Sequence, residues 1–341
     1  MITLFALTTR GLEAVTAGEM AALHGIRVTE TTYRRVAATC EDNPAPLLML
    51  RTPDDVFLQA AIWDGIARPR ETLARLNTFA AELDLYGLAQ VCASLRLIYS
   101  PVRFSISASF VGKHNYTADE IKAACADSIA EAHGWVYTDD DSEADLNVRI
   151  FIDHETAYVG LRLGKKPLQD RAYKQANLPG STKPPVAAAM LQLAEVRPKM
   201  RLLDPCCGAG TILIEGALLG AQPWGGDSDP AAVAASRQNM RSAGLNVRVE
   251  RWDAGDIPVE TASVDRIVSN LPWGLQVETD EMLADFYARA CAEMERVLRP
   301  GGRIALLTNA PHLLRFETLQ AAETVEISLF GQTPTIALYK G

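Results

Sequence analysis

Arg201-Leu202-Leu203-Asp204-Pro205-Cys206-Cys207-Gly208-Ala209-Gly210-Thr211 decides the fold class. A short apolar strand ends on an acidic residue, turns through Gly208 and Gly210, and runs into a helix. Glycine lets a backbone approach a ligand closely, and a helix start attracts a carboxylate or phosphate. A dinucleotide-binding turn would place a third glycine where Leu213 stands, so the nicotinamide reading loses ground.

The pattern on both sides extends this unit. A helix is predicted from Pro184, a good first-turn residue, with Val186, Met190 and Leu193 along it. After a helix over 210–219, Asp229 and Pro230 form an N-cap and first turn, and Gly244 closes that next helix. Strands are predicted over 246–250, 264–269 and 303–308, and a long amphipathic helix over 281–298. Two closing strands follow over 323–330 and 334–339. Alternating strands and helices imply a mostly parallel, doubly wound sheet, with ligands at the carboxyl ends of its strands.

Four of those ends carry polar or glycine-rich residues. The first is the turn after Asp204. The second is Asp227, followed by Ser228, where a carboxylate can accept both hydroxyls of a ribose. The third is Asp253-Ala254, where a carboxylate beside a free N–H can read the amino edge of adenine, and the fourth is Asn270. Each alone is an ordinary turn or cap residue; in succession they describe a pocket for a nucleoside with a carboxylate-bearing tail. In this succession residues 184–341 resemble the class I S-adenosylmethionine-dependent methyltransferases. That resemblance implies a Rossmann-like α/β domain with a mostly parallel seven-stranded sheet and a C-terminal antiparallel hairpin. It also implies S-adenosylmethionine as cofactor, with Gly208 and Gly210 lining the methionine portion, Asp227 holding the ribose and Asp253 the adenine amino group. Asp204, Cys206, Thr211, Ser228, Ala254 and Asn270 complete the expected cofactor set.

Asn270-Leu271-Pro272-Trp273 resembles the Asn/Asp-Pro-Pro-aromatic motif of amino-group methyltransferases, with Leu271 in place of the first proline. An exocyclic amine on a base is a poor nucleophile because its lone pair is delocalised into the ring. Two acceptors on its N–H groups favour a more tetrahedral nitrogen and free that pair; the Asn270 side-chain oxygen and the Leu271 carbonyl are the candidates. Pro272 restricts Leu271 to an extended conformation, which aims the carbonyl. Trp273 is expected to stack on the base.

The front half has its own order. Strands over 2–8, 26–31, 34–40 and 56–63, with helices over 11–23 and 44–50, give the β-α-β-β-α-β succession of a ferredoxin-like domain. A helical stretch over 70–98, a strand over 102–110, a helix over 119–133 and a hairpin over 146–162 make a second small α/β unit. The opening residues 6–13, the stretch Ala144–Ile150, and the run from Gly160 to Tyr173 resemble THUMP-containing RNA methyltransferases. Four segments are expected: a ferredoxin-like domain over 1–64, a THUMP RNA-binding domain over 65–164, a basic linker over 165–183 and the catalytic domain over 184–341. The resemblance implies a tRNA partner, docked by its 3′ end and acceptor stem, and N2-methylation of a guanine. An Asn-x-Pro-aromatic motif in a chain of this length looks most like the enzymes acting at tRNA position 6, since those acting at position 10 usually begin the motif with Asp. A base inside the acceptor stem must leave its stack to be methylated.

Composition narrows the class without choosing within it. Hydrophobic residues at 48% and charged residues at 22% describe an ordinary soluble globular chain. The net charge of −9 does not suggest nucleic acid, but binding depends on where positive charge lies. From Arg162 to Lys183 only Asp170 faces six cations, and Lys165, Lys166, Arg171 and Lys174 are the candidate phosphate contacts. The acidic run Asp139–Asp145 reads as a solvated loop. Scattered cysteines and histidines without metal-ligand spacing predict a reducing, cytoplasmic setting and no metal. The start reads as strand and helix and not as a signal peptide, no run is long enough to span a membrane, and a monomer is expected. The competing functions are guanine-N2 methylation at tRNA position 10 or in rRNA, DNA adenine or protein glutamine methylation, and a non-catalytic RNA-binding module.

Overall fold

A computed structural model describes residues 1–274 and 282–341. The chain forms two compact units: Met1–Leu7 with Ala17–Leu168, and Thr8–Thr16 with Gln169–Gly341.

The first unit is built on one eight-stranded sheet. Its strands are β1 (Ile2–Leu7), β2 (Ile26–Thr32), β3 (Arg35–Cys40), β4 (Asp55–Asp64), β5 (Arg103–Val111), β6 (Val136–Tyr137), β7 (Leu146–Asp153) and β8 (Thr156–Arg162), in the order β2-β3-β1-β4-β8-β7-β5-β6. The first four are all antiparallel neighbours, the ferredoxin-like arrangement, with a 3-10 turn at Ala45–Met49 where a second helix was expected. The sheet does not stop there: β4 pairs with β8, so the ferredoxin-like strands and the THUMP-like strands share one sheet. α1 (Glu13–Ala21, whose residues from Ala17 belong to this unit), α2 (Thr72–Ala81), α3 (Tyr86–Leu95) and α4 (Ala118–His133) supply Met20, Leu76, Cys92, Ile121 and Ile129 to its core. The helix expected over 70–98 is two helices, broken where Leu83 and Leu85 turn inward and Asp84 accepts from the Tyr86 N–H at 3.1 Å. Thr117 and Glu120 close a reciprocal capping box at the start of α4. The acidic run is only partly solvated. Asp145 is buried and accepts from the Arg103 N–H, while Asp141 accepts from Ser105, Asn147 and Arg162.

The second unit holds the doubly wound sheet. Its elements are α5 (Pro184–Leu193), β9 (Arg201–Asp204), α6 (Thr211–Leu218), β10 (Gln222–Asp227), α7 (Pro230–Ser242), β11 (Arg248–Arg251), β12 (Val264–Asn270), α8 (Leu283–Val297), β13 (Leu298–Thr308), β14 (Gln320–Glu326) and β15 (Thr335–Lys340). The order is β11-β10-β9-β12-β13-β15-β14, parallel except for β15, which runs antiparallel to both β13 and β14. The order reverses between β9 and β12, and that switch point opens a crevice at the carboxyl ends of the strands. The first closing strand ends at Glu326 and not at 330, because Phe330 and Gly331 both have positive φ and turn the chain. Glu281, the expected start of the long helix, lies outside the described residues; α8 is described from Leu283.

The two ends of the expected linker behave differently. Residues 165–168 belong to the first unit and 169–183 to the second. Residues 8–16 also belong to the second unit, where Leu12 is fully buried with Val186, Met190 and Ile327. Gly11 has φ of 93°, and a Cβ there would stand 2.0 Å from the Glu326 carbonyl, so only glycine fits.

Candidate active site

The crevice is a cavity of about 820 Å³ lined by the ends of β9, β10 and β12 and the loop after β11. Of the residues expected from sequence, Asp204, Cys206, Gly208, Thr211, Asp227, Ser228, Asp253, Ala254, Asn270, Leu271, Pro272 and Trp273 all line it. Gly210 is not among the residues that line the cavity. A Cβ there would sit 2.3 Å from the Ser236 hydroxyl, and φ is 79°, so this glycine serves the packing of α6 against α7. Gly208 is the one left bare toward open space, with φ of 50° and nothing within 4 Å of a would-be Cβ.

Four carboxylates line the cavity, Asp204, Asp227, Asp253 and Asp229, the last of them engaged in capping a helix. Asp204 is fully buried and accepts from the Ser269 hydroxyl at 2.7 Å and the Cys206 N–H at 3.3 Å. Burial pushes its pKa up to about 7 against those two bonds, and the neighbouring Asp227 charge adds to the rise. Asp227 accepts from the Gly208 N–H at 2.9 Å and the Asp229 N–H at 3.0 Å, and burial raises its pKa as well. Asp229 caps α7 through the Ala231 N–H, as expected. Asp253 is exposed, accepts from the Gly255 N–H at 2.8 Å, and pairs with Arg289 at 3.2 Å.

The Asn270 side chain is fixed at both ends. Its Nδ2 donates to the Gly180 carbonyl at 3.1 Å, and its Oδ1 accepts from the Trp273 Nε1 at 3.1 Å. The two bonds fix which way the amide points, and an amide oxygen keeps a second lone pair for another donor. The Pro272 carbonyl accepts from the buried Tyr287 hydroxyl at 3.0 Å, so the Leu271 carbonyl remains the motif's backbone candidate. Trp273 departs from expectation. It is 7% exposed and packs with Val186 and Leu307, so it is chiefly a core residue that holds Asn270, with little ring left for a base to stack on.

Part of the stretch expected as a basic linker over 165–183 lies on the cavity wall. Leu178, Pro179, Gly180, Ser181 and Thr182 line the site. Asn239 holds this stretch, accepting from the Gln175 and Ala176 N–H groups at 2.9 and 2.7 Å and donating to the Ala176 and Ala209 carbonyls at 2.9 Å. Arg171 pairs with the fully buried Glu215 at 3.3 Å, and Tyr173 donates to the same carboxylate at 2.6 Å. Lys174 donates to the Thr182 carbonyl at 2.9 Å, and burial lowers its pKa. Arg162 is buried between Asp55 and Asp141. The proposed phosphate contacts therefore thin out: Lys165 and Lys166 are exposed, and the Lys165 ammonium reaches the Ala144 carbonyl. Phe286 and Arg289, one helical turn apart on α8, complete the wall and carried no signal in the sequence reading.

All six cysteines are free, and among the described residues no group of His, Cys, Asp and Glu has the makings of a metal site. No helix among them is long and apolar enough to cross a membrane.

Comparison with known proteins follows the same division. Residues 80–162 match the THUMP domain, and residues 171–329 match the family described as RMKL-like, methyltransferase domain. Over 216 residues the chain is 37% identical to the tRNA (guanine(6)-N2)-methyltransferase of Thermus thermophilus, covering 62% of this chain and 64% of that one. It is 34% identical to the bovine U6 snRNA (guanine-N(2))-methyltransferase THUMPD2, over 58% of this chain and 38% of the relative. The matched stretch thus spans less than two-thirds of either relative. Among solved structures, TrmN from Thermus thermophilus aligns over 100% of this chain and 99% of its own, with a TM-score of 0.80 at 28% identity. With the sheet order, the cavity and both domain matches in agreement, the chain joins a THUMP domain to an RMKL-like methyltransferase domain on the class I methyltransferase fold.

Proposed function

We propose that this chain is an S-adenosylmethionine-dependent RNA methyltransferase that places a methyl group on the N2 amine of a guanine in tRNA, at position 6 of the acceptor stem. The observation that carries the reading is the Asn270 amide, aligned by Trp273 and Gly180 at the cavity wall with one oxygen lone pair to spare. The residues fit the cofactor. Bare Gly208 gives room for a tail, and the carboxylates of Asp204, Asp227 and Asp253 suit a cationic amino acid moiety, a ribose and an adenine amine. S-adenosylmethionine supplies an electrophilic methyl on a good leaving group, so no metal is needed and the protein's task is positioning.

Asn270 Oδ1 and the Leu271 carbonyl accept the two N2 hydrogens and direct the nitrogen lone pair toward the methyl. When bound, S-adenosylmethionine would supply the methyl, giving up its C–S bond for the new N–C bond, and the methylated nitrogen would become acidic. An amide oxygen is too weak a base to take that proton earlier, so it leaves to water after transfer. The enzyme works as a cytoplasmic monomer, with the front unit docking the 3′ end of tRNA and Lys165 and Lys166 near phosphates. Incubation with labelled S-adenosylmethionine and unmodified tRNA, then nucleoside analysis and position mapping, is expected to place label in N2-methylguanosine at position 6. Label at position 10, or only in rRNA or U6 snRNA, would move the substrate; label only in N6-methyladenosine, or none, would sink the guanine assignment.

The raised pKa of Asp204 gives a pH dependence of known sign. A carboxylate raised to about 7 binds its proton more tightly folded than unfolded. The ligand-free protein therefore loses stability as pH rises from about 4 through about 7. A cationic cofactor favours the ionised form, so affinity is expected to fall as pH drops below about 7, by up to about tenfold per unit. Calorimetric titrations with S-adenosylmethionine between about pH 6 and pH 8 measure it, and Asp204→Asn should flatten the profile. A wild-type profile that is already flat would show that Asp204 stays neutral in the complex.

A further inference from the structure

Arg289, Glu293 and Arg296 stand at i, i+4 and i+7 on α8, so their side chains share one face. All three reach the loop that follows β11. Arg296 donates to the Ile257 and Val259 carbonyls at 2.8 and 2.9 Å, and Glu293 accepts from the Ile257 N–H at 2.9 Å. Arg289, at the cavity end of this row, places both terminal nitrogens 3.2 Å from one oxygen of Asp253. The other oxygen of Asp253 accepts from the Gly255 N–H at 2.8 Å.

Gly255 marks this contact as built. Its φ is not positive, so conformational freedom does not explain it. A Cβ at that position would lie 2.2 Å from an Arg289 terminal nitrogen and 2.9 Å from the Arg289 Cβ. The glycine leaves the volume that the arginine occupies. A half-exposed ion pair adds little to stability, so stability is a weak reason for this arrangement. Its geometric effect is specific: with one oxygen held by the guanidinium and the other by a backbone N–H, the carboxylate cannot rotate freely at the mouth of the cavity.

We propose that Arg289 is a positioning residue for adenine recognition, holding Asp253 so that its remaining lone pair meets the exocyclic amine of the cofactor's base. This rests on the reading of the cavity as an S-adenosylmethionine site. Gly255 belongs to the same device as the residue that makes room for Arg289.

The test compares binding of S-adenosylhomocysteine and S-inosylhomocysteine, whose base carries an oxo group where adenine has its amine. The wild type is expected to prefer the adenine form. Arg289→Met should reduce that preference about tenfold, on the scale of one charge-assisted hydrogen bond, with the inosine form nearly unaffected. Arg289→Lys should restore part of it, and Gly255→Ala should reproduce the loss without touching either charged group. Glu293→Gln, in the same row but away from the cavity, is expected to lower the melting temperature and leave the preference intact. Equal weakening of both ligands in Arg289→Met, or no change in either, overturns the proposal. So does a wild type that binds both equally well. A wild type that binds neither points instead to failure of the cofactor reading itself.

Discussion

Asn270→Ala is expected to lower turnover about 100- to 1,000-fold while leaving affinity for S-adenosylhomocysteine within about threefold. The split follows from where the side chain is held. Both of its hydrogen bonds among the described residues are to the protein, Gly180 on one side and Trp273 on the other, and the remaining lone pair is the one offered to the substrate amine. Alanine removes an acceptor that acts on the reacting nitrogen, an interaction that strengthens as the nitrogen becomes tetrahedral, so kcat should carry the loss. Asn270→Asp is the sharper probe. It keeps the oxygen facing Trp273 but sets a carboxylate oxygen against the Gly180 carbonyl, where the amide donated, so the side chain must turn or the wall must move. An intermediate loss of turnover is expected, with a steeper pH dependence than the wild type. Single-turnover rates beside calorimetric binding constants settle the matter, and equal loss of turnover and ligand affinity in the alanine variant would make Asn270 a cofactor ligand only.

Much of this site was legible because strand ends announce themselves: Asp204, Asp227 and Asn270 each close a largely apolar or glycine-rich run, Asp253 follows the alternating strand β11, and all four line one cavity. What was not legible fails for physical reasons. β10 reads Gln222-Pro223-Trp224-Gly225-Gly226-Asp227, with a proline and two glycines that argue against a strand. Those glycines are required by close packing. A Cβ on Gly225 would stand 2.5 Å from Leu213, and one on Gly226 would enter the Trp252 ring at 2.3 Å. Trp273 looked like a stacking residue because the tetrapeptide gives no sign of burial; only the fold places Val186 and Leu307 around it. The helix read over 11–23 was assigned whole to a front domain, yet residues 8–16 belong with the catalytic unit, so removing 1–165 would also strip Leu12 from the catalytic core.

The cavity-lining part of the stretch 165–183 was not legible from its lysines, glycines and prolines, although a signal lay elsewhere in the sequence. Glu215 follows Ile212-Leu213-Ile214 inside an otherwise apolar helix, and a carboxylate there must find donors from another part of the chain. Arg171 and Tyr173 are those donors. Glu215→Ala is accordingly expected to cost about 3–5 kcal/mol of stability, because it removes the buried carboxylate that both Arg171 and Tyr173 address. The effect should not stop at stability. Glu215 sits on the helix that begins at the glycine turn, and its partners anchor the strand of chain that supplies Leu178–Thr182 to the cavity and the Gly180 carbonyl to Asn270. Loss of the anchor should therefore weaken S-adenosylhomocysteine and slow turnover together, unlike Asn270→Ala. Glu215→Gln, which still accepts from Tyr173 but carries no charge for Arg171, should fall between wild type and alanine in both measurements. Chemical denaturation beside ligand calorimetry reads the two effects. A stability loss below about 1 kcal/mol with unchanged affinity would mean that the bonds from Asn239, Lys174 and Asn270 hold this wall without Glu215.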